Sequence, residues 1–115
     1  MHSVGIDLVE TKRFTAKIND EEFLKKVFTK SEIAFINSKK GNAKLQSAAA
    51  RFAAKEAFGK AIKVGIFKFE LTDVEVIKEE SGAVSLKLYN KAKELAKDYQ
   101  FSLSITHTEN YAAAV

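Results

Sequence analysis

One stretch constrains this chain more than any other: "AKLQSAAARFAAKEAFGKAIK", from Ala43 to about Lys63. It is rich in alanine and free of β-branched runs, which predicts a long helix. In a chain of 115 residues, such a helix sets the frame of a single domain spanning 1–115. Taking Phe52 as the origin, Leu45, Ala49 and Glu56 fall within about 60° of it at 3.6 residues per turn. Glu56 therefore lies in the stripe that should meet a core. An ionised carboxylate there costs several kcal/mol unless it is paired, hydrogen-bonded or bound to metal. The plainer alternative is a solvated helix in which Glu56 and Lys60 form an i,i+4 pair worth about 0.2–0.5 kcal/mol. Gly59 sharpens the question, because glycine inside a helix costs roughly 1 kcal/mol against alanine. It points to a close approach by another backbone or a ligand.

A second acid is also out of place. In "SVGIDLVETKRF", Val4, Ile6 and Leu8 alternate as a half-buried strand should, and Asp7 interrupts the run. Downstream, Asn19 or Asp20 can cap a helix carrying Phe23, Leu24, Val27 and Phe28, and Thr29 to Glu32 suggests a new cap. Gly41-Asn42 ends that second helix. "LTDVEVIKEESGAVSLKLY" reads as two strands joined at Glu80-Ser81-Gly82. A short helix, "NKAKELAKDYQ", and a closing strand pair turning near Glu109-Asn110 complete the chain. The expectation is α+β: a small antiparallel sheet with a long central helix and shorter ones.

In "FSLSITHT", Phe101, Leu103, Ile105 and His107 share one face. A histidine ending an apolar face is ordinarily a hydrogen-bonded structural residue, yet His107 also sits beside a turn, where sites are often built. Asp7, Glu56, lysines and a histidine together make the elements of a magnesium–phosphate site. Mg²⁺ takes one or two carboxylates, waters and phosphate oxygens, and lysines hold the remaining charge. Cysteine is absent, which excludes disulfides, zinc thiolates and thiol catalysis. The net charge of +4 favours an acidic partner. No apolar run reaches membrane-span length and no signal-peptide pattern opens the chain, so a cytoplasmic location is expected.

"GIDLVE", "RFAAKEAFGKAI" and "SITHT", in this order and spacing, resemble the holo-acyl-carrier-protein synthases, short bacterial 4′-phosphopantetheinyl transferases. "LTDVEVIKEESGAVSLKL" is similar to the family's central hairpin. The resemblance implies a Mg²⁺-dependent transfer of 4′-phosphopantetheine from coenzyme A to a serine of apo-acyl carrier protein, releasing adenosine 3′,5′-bisphosphate, for fatty acid biosynthesis. It implies Asp7 and Glu56 as metal ligands, and Glu56, Lys60 and His107 as catalytic. Arg51, Lys55, Gly59, Lys60, His107 and Thr108 would line the coenzyme, with Arg51 a candidate from across a subunit boundary. A metal-bound water, or Glu56 through it, would accept the serine proton. Arg13 matches the family's arginine for docking the acidic carrier, with Lys12 and Lys25 as looser candidates. A homotrimer with sites between subunits is implied. The chain departs from the pattern at Ser3, Ala50 and Ala83, and it stops at Val115, where relatives usually continue for a few residues of strand.

Two other readings of the sequence are open. A basic nucleic-acid-binding module fits poorly, because the lysines and arginines are interleaved with acids and no RNP-like or helix-turn-helix pattern is present. An inactive scaffold would bind the carrier without transferring anything. Neither nucleic acid nor membrane is expected as a partner.

Overall fold

The computed structural model describes residues 2–115, with Phe67 as backbone only. The long helix is α3, Asn42–Ala61. Gly41 opens it at a φ of 57°; the preceding helix, expected to stop at Gly41-Asn42, has already ended at Asn37 with Ser38 as its C-cap. Lys63, in the left-handed region at φ 64°, turns the chain away shortly after the helix ends. Nearly every residue from Ser47 to Gly59 is buried. The loosely defined apolar face has a simple cause: other elements surround this helix.

Around it run β1 (Asp7–Glu10), a 3₁₀ turn at Thr11–Phe14, α1 (Glu21–Val27) and α2 (Lys30–Asn37). After α3 come two more 3₁₀ turns, the hairpin β2 (Val74–Lys78) and β3 (Val84–Leu88), α4 (Asn90–Leu95), β4 (Ile105–His107) and β5 (Tyr111–Ala114). Asp20 caps α1, its side chain accepting from the Glu22 and Phe23 amides. Thr29 and Glu32 form a reciprocal capping box on α2. The expected single sheet is two antiparallel sheets, β1-β5-β4 and β2-β3, and the class is α+β as read. Among the described residues, no helix is long and apolar enough to cross a membrane.

The three-stranded sheet packs on α3 through small side chains. Ala112 and Ala114 of β5 and Ala49, Ala53 and Ala57 of α3 are all buried, which lets strand and helix approach closely. Phe14, Phe28 and Phe52 close this core, Phe14 meeting Phe52 edge-on at 5.7 Å. A second cluster of Phe58, Phe69, Val74 and Ala92 fills the space under the hairpin and α4.

One expectation is inverted. Val4, Ile6 and Leu8 were read as the half-buried row, but they are 73%, 62% and 64% exposed. Gly5, Asp7 and Val9 are the inward row, and Val9 pairs with Ala112 over the core. A period of two identifies two faces without naming the one that meets the helix.

Candidate active site

Asp7 is the first residue of β1, opposite Ala114, on the face turned toward α3. The Lys60 ammonium donates to Asp7 Oδ1 at 3.2 Å and to the Ile6 carbonyl at 3.0 Å. Glu56, one turn before Lys60, is half-buried beside them. Burial pushes the Glu56 carboxyl above its ordinary pKa, and the negative charge of Asp7 pushes it further. Lys60 and Arg13 pull the other way. β1, the 3₁₀ turn after it and α3 thus bring Asp7, Arg13, Glu56 and Lys60 into one electrostatic neighbourhood from three elements of the chain. Among the described residues no three His, Cys, Asp or Glu side chains form a cluster that could hold a metal ion. Two carboxylates held together against their own repulsion are a fitting donor set for a hard divalent cation.

Gly5 explains how β1 comes so close. A Cβ on Gly5 would lie 1.9 Å from the Ala57 carbonyl oxygen and 2.6 Å from the Ala61 nitrogen. The Ser3 hydroxyl donates to the Ala61 carbonyl at 2.5 Å. Neither residue was singled out for a site from the sequence. The available signal was an isolated glycine in a strand pattern, which marks a close backbone approach.

Lys55 does not join this group. It is 0% exposed, and its ammonium donates to Glu32 Oε1 at 2.8 Å, to the Leu71 carbonyl at 2.9 Å and to the Val74 carbonyl. All three donors are spent inside the protein, so the reading of Lys55 as a coenzyme contact is withdrawn. Burial pushes the ammonium pKa down and Glu32 pulls it back up. Glu32, which the sequence offered only as a cap, also accepts from the Thr29 and Val76 amides. Gly59 is corrected too. A Cβ there would meet the Val64 carbonyl at 3.1 Å and the Phe69 ring at 3.6 Å, so the close neighbour is this chain itself.

Arg51 is buried over the Phe35 ring, 4.1 Å from its centroid, with Nη1 donating to Ser47 Oγ at 3.0 Å. Its Nε is buried without a hydrogen-bond partner among the described residues. His107 pairs with Ala112, which pairs with Val9. Two strand spacings and two residues along the sheet place it roughly 12 Å from Asp7. Thr108 lies beyond it, its carbonyl accepting from Gln46 near the start of α3. Within one chain, neither residue reaches the carboxylate pair. Arg13 stacks over Phe52 at 5.2 Å. Lys12 pairs with Glu10 on the surface, and Lys25 is exposed in the last turn of α1.

Comparison with known proteins shows the family to which the chain belongs. The model of the 4′-phosphopantetheinyl transferase superfamily matches residues 3–115. The chain belongs to that superfamily. It is 41% identical to the holo-[acyl-carrier-protein] synthase of Caldicellulosiruptor saccharolyticus, over 97% of this chain and 91% of the relative. It is 40% identical to that of Treponema denticola, over 97% and 93%. Similar folds include the Bacillus anthracis synthase in complex with CoA (3′,5′-ADP), with a TM-score of 0.82, 29% identity and 97% and 90% of the two chains covered. The Helicobacter pylori synthase in complex with coenzyme A aligns with a TM-score of 0.81 and 30% identity, over 96% and 95%. Within the superfamily, the chain is a phosphopantetheinyl transferase of the holo-[acyl-carrier-protein] synthase type.

Proposed function

We propose that this chain transfers the 4′-phosphopantetheine of coenzyme A to a serine hydroxyl of an acidic acyl carrier protein, for fatty acid biosynthesis. The serine hydroxyl gives its proton to water or to the Glu56 carboxylate, its oxygen bonds to the phosphorus that carries pantetheine, and the bond from that phosphorus to the bridging oxygen breaks. Adenosine 3′,5′-bisphosphate leaves. One observation carries this reading: Lys60 holds Asp7 at 3.2 Å one helical turn beyond the half-buried Glu56, whose carboxyl feels the Asp7 charge. Such a pair suits Mg²⁺ as its metal. When bound there, the ion would neutralise charge on the coenzyme diphosphate. Lys60 would hold phosphoryl oxygens as their charge grows in the transition state. Arg13, within electrostatic reach of Glu56, would dock the acidic carrier where its serine meets the diphosphate, with Lys12 and Lys25 further out.

The exposed apolar row of Val4, Ile6 and Leu8, with Tyr111 and Val115 nearby in the same sheet, supports assembly into a homotrimer. In that assembly His107 and Thr108 would serve a neighbouring subunit's coenzyme. Arg51 does not take that role, because its side chain is buried on Phe35 and Ser47 of this chain and its Nε is closed off from solvent.

The test is mass spectrometry of apo-acyl carrier protein incubated with coenzyme A and this chain, with Mg²⁺ or with EDTA. The expected result is a phosphopantetheine mass gain that EDTA removes and that Asp7→Ala abolishes without changing the circular dichroism. Carrier binding with no mass gain would mark a scaffold instead.

A further inference from the structure

The segment leading into β1 is weakly held by its own strand. Pairing with β5 begins only at Asp7, opposite Ala114. Among the described residues, the backbone of residues 3–5 makes no backbone hydrogen bond. On the other side of this segment a groove of about 1000 Å³ opens toward residues 98–104, floored by Ala54, Ala57, Phe58 and Ala61. What fixes the segment is therefore α3. The Ser3 hydroxyl reaches the Ala61 carbonyl, Gly5 lies against the Ala57 carbonyl and Ala61 nitrogen, and Lys60 holds the Ile6 carbonyl.

Gly5 and Asp7 stand on the same face, two residues apart, so the depth at which Gly5 seats sets how far Asp7 reaches toward Glu56. A Cβ at position 5 would lie 1.9 Å from a backbone oxygen, where ordinary contact begins at 3.4 Å. The obstacle is the main chain of a buried helix, which no rotamer change can clear, so the strand must withdraw.

We infer that Gly5 is a positioning residue for metal binding, its missing side chain letting Asp7 come within reach of an ion shared with Glu56. This rests on the assignment of Asp7 and Glu56 as the metal pair. The measurement is Mn²⁺ affinity, read from the electron paramagnetic resonance of the free ion, for the full chain in the presence of coenzyme A. Gly5→Ala should weaken binding about tenfold or more. Asp7→Glu alone should also weaken it. In the Gly5→Ala background the same change should strengthen it, because the longer carboxylate spans the added gap. A purely structural role for Gly5 would leave two losses that add.

Unchanged affinity in Gly5→Ala, or additive losses in the double variant, overturns the inference. Unchanged affinity in Asp7→Ala defeats the metal pair itself, and the inference with it. Should Gly5→Ala give no folded protein, Ser3→Ala tests the same seat without adding an atom. Its affinity should fall about threefold, and no change would overturn the inference.

Discussion

Lys55 and Glu56 are neighbours in sequence, yet they project about 100° apart around α3 and meet opposite conditions. Lys55 enters a sealed polar pocket whose other charge, Glu32, is also fully buried. Removing Lys55 leaves Glu32 buried without its hydrogen-bonded partner, with Arg51 the remaining positive charge acting on it. Lys55→Met is therefore expected to lower unfolding free energy by about 3–5 kcal/mol in urea titrations. Glu56 behaves differently, because its pKa is raised. Its folded form holds the proton to higher pH than its unfolded form, so stability falls as pH rises through the window between the two values. Metal-free Glu56→Gln should then melt higher than the parent at pH 7, by about 1 kcal/mol or less given partial exposure to water. That gain should vanish below the ordinary carboxylate range, and a gain that persists there would contradict the assigned cause. Metal affinity should move the opposite way, rising with pH as Glu56 gives up its proton.

At the scale of elements, the joint between α1 and α2 does more than join two helices. Thr29 caps α2 through the Glu32 amide and donates its hydroxyl to Glu75 on β2, which also accepts from Ser31 at 2.7 Å and Tyr89 at 2.9 Å. Burial raises the Glu75 pKa, but these hydroxyls and Lys55 together outweigh it and hold the carboxyl below its usual range. Thr29→Ala should cost about 1–2 kcal/mol, seen as a lower urea midpoint, while Thr29→Ser should keep most of the stability. The capping box was legible in the sequence because its partners lie three residues apart. The bond to Glu75 was not, since nothing local relates residues so distant along the chain.

For the whole molecule, the exposed apolar row on β1 is where assembly can be tested. Leu8→Lys puts a charge at the β1 end of that row, on the face away from Asp7 and α3. The proposed trimer predicts that sedimentation of this variant shows monomers and that phosphopantetheine transfer falls about tenfold or more. A trimeric, fully active Leu8→Lys protein would remove both the interface and the need for a neighbour's His107.

The sequence by itself determined the helix, the caps, the hairpins and the two misplaced acids, because these depend on propensity, short spacing and the cost of burying charge. It did not determine which row of β1 turns inward, since alternation is symmetrical between faces until something packs on one of them. Nor could it separate Lys55 from Lys60: both flank Glu56 with the same chemistry, and only the packing of α2 and β2 against α3 seals one and leaves the other beside Asp7. Tertiary structure decided these points because they depend on which surfaces exclude water, and that is settled only when distant segments meet.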